Sequence, residues 1–190
     1  ARYFEAGCEF EKLFPTENDI RLFSAPGRTE VGGNHTDHQH GRVLAGGVDM
    51  DVIAVVALND DDSVRVKSKG YDMDVIALSD LKKQEKELGR ASALIRGVCF
   101  KFKELGFDIK GFNAYTTSNV LKGSGLSSSA AFEDMIGNIL NHLYNDGKVD
   151  NVEIAKLAQY AENQFFGKPC GLMDQVACAV GGIVAIDFND

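Results

Sequence analysis

Several features that mark common protein classes are missing from this sequence of 190 residues. Its four cysteines are scattered without a Cys-x-x-Cys pair, so neither a zinc site nor a disulfide framework is expected. No hydrophobic run is long enough to span a bilayer, and the first residues lack the basic-then-apolar pattern of a secretory signal. These absences predict a reduced, cytoplasmic protein.

Positive charge is also scarce, because the formal net charge is −8 at pH 7. No basic stripe is present to offset phosphate charge, so broad binding to nucleic acid or to an anionic membrane is not expected. A phosphate ligand is still allowed, since a local loop and a metal ion can hold it. Hydrophobic residues make up 44% of the chain, and its length suffices for one domain with a substantial core.

The spacing of apolar residues predicts a mixture of strands and helices. The predicted strands are 20–25, 42–44, 48–58, 63–69, 71–78, 112–117 and 182–187. The predicted helices are 5–14, 90–105, 132–144, 152–165 and 171–180. The charged tract 80–89 is predicted to be a surface connection. Early strands followed by later helices indicate an α+β fold, in which a mixed sheet packs against helices.

A glycine-rich turn precedes one predicted helix, where residues 123–131 read Gly-Ser-Gly-Leu-Ser-Ser-Ser-Ala-Ala. Its two glycines free the backbone for unusual dihedral angles. A helix that begins after such a turn offers free N–H groups and a positive dipole end, and this arrangement binds phosphate. The spacing fits neither a Walker loop nor the dinucleotide-binding fingerprint. Taken alone, the segment fits a helix that is simply capped by serines equally well.

Two further segments combine glycines with charged and amide residues. Residues 24–38 read Ser-Ala-Pro-Gly-Arg-Thr-Glu-Val-Gly-Gly-Asn-His-Thr-Asp-His, and residues 167–175 read Gly-Lys-Pro-Cys-Gly-Leu-Met-Asp-Gln. Together with the loop at 123–131, and in the same order, they resemble the motifs of the galactokinase branch of the GHMP small-molecule kinases. The resemblance implies the N-terminal domain of the GHMP kinase fold over residues 1–190, with a C-terminal domain that this sequence does not include.

The resemblance also implies an ATP-dependent sugar 1-kinase that converts α-D-galactose to galactose 1-phosphate. Asp174 would orient the acceptor hydroxyl and accept its proton, and Arg28 would supply a counter-charge for Asp174 or for the transferred phosphoryl group. The phosphates of ATP would contact Gly123, Ser124, Gly125, Leu126, Ser127, Ser128 and Ser129. Mg²⁺ would be held by Ser129 and Glu162. The sugar would contact Asn34, His35, Asp37 and Gly171.

Without the resemblance, two of these acidic residues have ordinary interpretations. Glu162 would be a solvent-facing residue of a helix, and Asp174 would be a helix-end residue that interacts with the dipole. The cluster of His35, Asp37, His38 and His40 lacks helical spacing and cysteines, so it is not predicted to bind a metal.

Two positions depart from the galactokinase signature. Asn34 stands where glutamate is usual, and Glu30 stands where asparagine is usual. An amide can still hydrogen-bond a hydroxyl group, but it carries no charge, so the identity of the sugar stays open. A kinase of another sugar, such as N-acetylgalactosamine or arabinose, and a non-catalytic regulator that binds sugar and ATP are the alternatives. Because the active site of relatives lies between two domains, residues 1–190 alone are expected to have little or no activity.

Overall fold

A six-stranded sheet with helices on both faces forms the framework of the computed structural model, which describes residues 1–189. The strands are β1 (Arg21–Gly32), β2 (Arg42–Leu58), β3 (Ser63–Ser68), β4 (Met73–Ala77), β5 (Phe112–Ser118) and β6 (Ile183–Asp187). The α-helices are α1 (Arg2–Leu13), α2 (Ala91–Glu104), α3 (Ser128–Tyr144), α4 (Asn151–Tyr160) and α5 (Met173–Val180). The sheet has the order β1-β2-β5-β3-β4, and β6 pairs with β2.

Strand β2 separates two regions of the core, because successive side chains of a strand point to opposite faces. One face contributes Val52, Ala54 and Val56 to the main cluster, which includes residues of α2, α3 and α4. The other face contributes Ile53, Val55 and Ala57 to a smaller cluster with Phe10 of α1. Strands β3 and β5 run parallel, whereas the other pairs are antiparallel. The predicted α+β fold with a mixed sheet is therefore confirmed.

Strand β1 continues through the predicted turn. We expected the strand to end at residue 25 and Arg28 to lie in a loop, but β1 extends to Gly32 and its register with β2 shifts between Pro26 and Arg28. Proline is tolerated there because β1 is an edge strand and the shift forms a bulge. Strand β2 is likewise continuous rather than divided at residues 45–47, since β1 and β6 pair with that part of it.

Several helix boundaries also differ from the prediction. Helix α3 begins at Ser128, four residues before the predicted start, and α5 begins at Met173 rather than at residue 171. Helix α4 ends at Tyr160, and the chain continues as a π-helical turn over Ala161–Phe166. No helix within residues 1–189 has both the length and the apolar character needed to cross a membrane.

Residues 80–89 connect β4 to α2 and are mostly exposed, as the sequence predicts, although Leu81 and Glu87 are buried. Glu87 is buried, and its carboxylate accepts two hydrogen bonds of 2.8 Å from the guanidinium of Arg96 on α2. The same guanidinium also donates to the carbonyl oxygen of Asp80. A bidentate pair of this kind fixes geometry as well as charge, so Arg96 anchors the connection to α2 at Asp80 and Glu87.

Candidate active site

Three polar segments that are distant in sequence meet at one cleft of about 320 Å³. The loop before α3, the segment before α5 and the bulged part of β1 each contribute to its wall. The lining residues are Arg28, Leu121, Gly123, Gly125, Ser127, Ser128, Ser129, Lys168 and Asp174. Most residues proposed for phosphate binding and catalysis are thus brought together, although the predicted sugar-binding residues lie outside this set.

Arg28 connects the three segments. Its Nε donates to Asp174 Oδ1 at 2.8 Å, and its Nη1 donates to the carbonyl oxygen of Gly125 at 2.7 Å. The backbone N–H of Arg28 also donates to the carbonyl oxygen of Leu126 at 3.1 Å. The preceding Gly27 permits this close approach, because a Cβ there would lie 2.8 Å from the same Leu126 oxygen. The buried guanidinium therefore holds both the carboxylate and the glycine-rich loop.

The loop before α3 does not use its serine to cap the helix. Ser127 occupies the N-cap position in the left-handed region with φ 58°, and its side chain makes no capping hydrogen bond. Its buried Oγ finds no partner among residues 1–189. Gly123 and Gly125 also have positive φ, at 80° and 77°, as a tight anion-binding loop requires. The interpretation as an ordinary serine cap was therefore wrong, and the start of α3 opens onto the cleft.

Glu162 lies beneath the cleft and is only 2% exposed, so the interpretation as a solvent-facing residue was also wrong. Ser129 Oγ donates to its Oε1 at 3.0 Å, and Gln175 Nε2 donates to its Oε2 at 2.8 Å. Lys168 Nζ lies 3.4 Å from Oε1. The π-helical turn that contains Glu162 is a type of distortion frequent at functional sites.

The pairing of Ser129 and Glu162 is compatible with Mg²⁺. The ion prefers hard oxygen ligands and keeps several waters, so one hydroxyl and one carboxylate are enough from the protein when phosphates supply the rest. Over the described part of the chain, no three His, Cys, Asp or Glu side chains converge in an arrangement able to hold a metal ion. An ion at Ser129 and Glu162 therefore requires oxygen ligands from a phosphate or from water.

The segment after β1 forms a separate feature beside the cleft. Asn34 and His35 are exposed and adopt left-handed conformations with φ 54° and 50°. Glu30 stabilises this turn, because its Oε1 accepts the backbone N–H of His35 at 2.9 Å and its Oε2 lies 2.9 Å from the ring Nε2. Asp37 packs directly on Gly171, where any Cβ would overlap its carboxylate. Glu30 thus stabilises the conformation of the turn that contains Asn34.

Two further acidic residues lie on the buried side of α3, under the cleft. Glu133 and Asp134 are completely buried, and both oxygens of Asp134 lack a hydrogen-bond partner within the described chain. Burial, and next the negative charge of Glu162, raise the pKa of each carboxyl well above its ordinary value. The environment of Asp134 therefore favours its protonated form.

Replacing Asp134 with asparagine should stabilise the protein increasingly as the pH rises. The unfolded chain releases this proton near the ordinary pKa of 3.8, whereas the folded chain retains it to a much higher pH. The free energy of unfolding of the parent therefore decreases above pH 3.8 until the folded pKa is reached. Urea unfolding at pH 5 and pH 8 should show a larger advantage of the variant at pH 8. The exposed control Asp60→Asn should show no such trend, and equal shifts in both variants would contradict the prediction.

Sequence reasoning missed three residues of this site. Gln175 and Lys168 were part of a quoted motif but received no role, and Asp134 was unremarkable within an amphipathic helix. Only their position in the sequence could have indicated Lys168 and Gln175, because both lie within seven residues of Asp174. Their contacts with Glu162 depend on how residues 167–175 pack against the π-helical turn after α4, which the spacing of residues does not reveal.

Comparisons with known proteins identify related families over most of the chain. The family model for the GHMP kinases N terminal domain matches residues 93–182, and the galactokinase galactose-binding signature matches residues 8–58. A galactokinase of Clostridium tetani is 37% identical over 174 residues, which cover 91% of this chain and 44% of that protein. One from Lactobacillus helveticus is 40% identical over 84% of this chain and 42% of its own length. The chain thus spans about half the length of these curated relatives.

Solved structures show the same fold. The structure of Lactococcus lactis galactokinase complexed with galactose matches all of this chain and 50% of its own, with a TM-score of 0.92 and 26% sequence identity. Methanococcus jannaschii mevalonate kinase covers 92% of this chain and 56% of its own, with a TM-score of 0.75 and 18% identity, and so shows only the fold. The predicted GHMP kinase N-terminal fold is confirmed.

Proposed function

Because this chain belongs to the galactokinase branch of the GHMP kinases, we propose that the protein transfers the γ-phosphoryl group of ATP to the anomeric hydroxyl of α-D-galactose. The products are galactose 1-phosphate and ADP. The observation that carries the proposal is the ion pair of Arg28 and Asp174 at the cleft into which α3 opens. A nucleophile-orienting carboxylate, a cation and an anion-binding loop are the parts that phosphoryl transfer requires.

Each part has a distinct task in this reaction. The loop at 123–129 binds the phosphates through backbone N–H groups and the positive end of α3. Asp174 accepts the proton of the sugar hydroxyl as that oxygen attacks phosphorus. Arg28 orients Asp174 through Nε and places positive charge beside the transferred group. Mg²⁺ held by Ser129 and Glu162 would neutralise phosphate charge.

Sugar recognition is proposed for the segment beside the cleft. Asn34, His35 and Asp37 offer donors and acceptors suited to hydroxyl groups, with Gly171 contributing backbone contact. The relative from Lactococcus lactis is complexed with galactose, which supports the same sugar here. These residues do not line the phosphate cleft, so we infer that a C-terminal domain outside this chain completes the sugar site. ATP and the sugar are the expected small-molecule partners.

A panel of sugars tests the activity. The complete natural protein is assayed for ADP release with ATP, Mg²⁺ and galactose, N-acetylgalactosamine or arabinose. Galactose should give the highest kcat/KM. A higher value with another sugar would reassign the substrate. An absence of turnover with every sugar, combined with sugar-dependent ATP binding, would show a regulator instead of a kinase.

Gly171→Ala should weaken sugar use selectively. The added Cβ would overlap the Asp37 carboxylate and displace it, and small misplacements of a positioning group are costly. We expect KM for galactose to rise about ten-fold or more, with KM for ATP nearly unchanged. Gly32→Ala is a suitable control, because that position is near the same segment and a Cβ there meets nothing within 4 Å. Equal effects of both variants would contradict the role of Gly171.

A further inference from the structure

Lys168 has an anchored backbone and an exposed ammonium group that is paired with Glu162. The N–H groups of Gly167 and Lys168 both donate to the carbonyl oxygen of Glu162, at 3.0 and 3.1 Å. Gly167 ends the π-helical turn in the left-handed region, with φ 84°. The Lys168 side chain is nevertheless 62% exposed and lines the same cleft as Arg28 and Asp174. Its ammonium group can therefore move within the cleft while its Cα stays in place.

The ammonium group of Lys168 lies at the oxygen that a metal ion would need. Gln175 Nε2 and Cys170 Sγ donate to Oε2 of Glu162, whereas Oε1 lies next to Ser129, the other residue proposed to bind the ion, and next to Lys168. Ser129 Oγ and Lys168 Nζ lie 3.0 and 3.4 Å from that oxygen. A divalent ion that binds Ser129 and Glu162 therefore competes with Lys168 for the same carboxylate oxygen.

Arg28 and Lys168 are the two cationic residues among those that line the cleft. Arg28 uses its Nε for Asp174 and its Nη1 for the Gly125 carbonyl group. Without Lys168, the carboxylates of Asp174 and Glu162 would outnumber the guanidinium, in a protein whose net charge is already −8. A lysine ammonium is a compact charge on a flexible stem and binds phosphate well.

We propose that Lys168 is a mobile cation of the ATP site that exchanges its partner when the substrate binds. In the nucleotide-free protein its ammonium neutralises Glu162. When ATP and the divalent ion occupy the cleft, the ion replaces it at Glu162 and Lys168 binds an oxygen of the phosphate chain. This inference rests on the proposed function, because it assumes that ATP is the ligand of the cleft.

Two binding measurements on the complete protein test the exchange, with Lys168→Met compared to Lys156→Met, an exposed lysine of α4. For Mn²⁺ binding to the nucleotide-free protein, followed by electron paramagnetic resonance, Lys168→Met should bind about three-fold more tightly, because the competing charge is gone. For ATP in the presence of Mg²⁺, followed by calorimetry, the same variant should bind about ten-fold more weakly. Lys168→Arg should recover part of the ATP affinity.

The two affinities are expected to change in opposite directions. This separates the exchange from a structural role, since misfolding would weaken the binding of both ligands. Unchanged or weaker Mn²⁺ binding by Lys168→Met would overturn the inference, and so would unchanged ATP binding. Neither measurement needs turnover. A protein that binds ATP but phosphorylates no sugar would therefore contradict the proposed function. The Mn²⁺ and ATP affinities would still show whether Lys168 exchanges its partner.

Discussion

Replacing Asp174 with asparagine is expected to lower kcat for galactose by about 100- to 10,000-fold, the range typical of a lost general base. Asparagine keeps the size of the side chain and an oxygen that can accept the 2.8 Å hydrogen bond from Arg28. It cannot accept the proton of the sugar hydroxyl. The phosphate loop is unchanged, so ATP affinity should stay within about three-fold of the parent. Coupled ADP-release assays and calorimetry on the complete protein measure the two quantities.

The design includes a charge-matched control. Asp19→Asn removes an equal charge from an exposed position far along the chain and should leave both quantities unchanged. A fall in kcat of less than ten-fold for Asp174→Asn would show that the carboxylate only orients groups and that the transition state is loose enough to need no base. A large loss of ATP affinity would place Asp174 in nucleotide binding instead.

The second large effect concerns stability. Arg96→Met should lower the free energy of unfolding by about 3–5 kcal/mol, because it leaves the Glu87 carboxylate buried without its partner. The side chains of Arg96 and Glu87 are only 5% and 10% exposed. Their pairing raises the pKa of Arg96, chiefly through the hydrogen bond with Glu87, so the guanidinium stays charged. Urea unfolding monitored by circular dichroism gives the difference.

Two further variants make this result specific. Arg65→Met breaks a more exposed pair with Asp61 and should cost about 1 kcal/mol or less. The double variant Glu87→Gln/Arg96→Met removes both charges and should be more stable than Arg96→Met alone, since no uncompensated carboxylate remains. Equal losses from Arg65→Met and Arg96→Met would contradict the account of the buried pair.

The parts of the fold that follow from local patterns could be predicted from the sequence. The apolar run of β2 and the helical spacing of α2 identify those elements because each is governed by the periodicity of its own residues. The bulge at Pro26 and Gly27 could not be found this way. A Pro-Gly pair is typical of turns, and only the pairing of β1 with β2 keeps it within a strand. Tertiary pairing outweighed the local signal.

The residues of the candidate site also divide into those that the sequence indicated and those that only the tertiary structure reveals. The resemblance of the three motifs to those of galactokinases indicated Arg28, Asp174 and the glycine-rich loop. The burial of Glu162 could not be predicted without the resemblance, since a glutamate on a helix is ordinarily exposed. Its environment arises from three separate elements that supply Ser129, Lys168 and Gln175. Contacts between elements of this kind are set by packing and leave no periodic trace in the sequence.

The backbone contact of β1 with the phosphate loop has a consequence for engineering. Arg28 N–H meets the Leu126 carbonyl group, and Gly27 leaves no space for a side chain between them. The glycine-rich loop and the bulged part of β1 are therefore a single mechanical unit rather than two independently exchangeable segments. A transplanted loop from a distant kinase has to be accompanied by its own bulge, and directed evolution has to search both segments together.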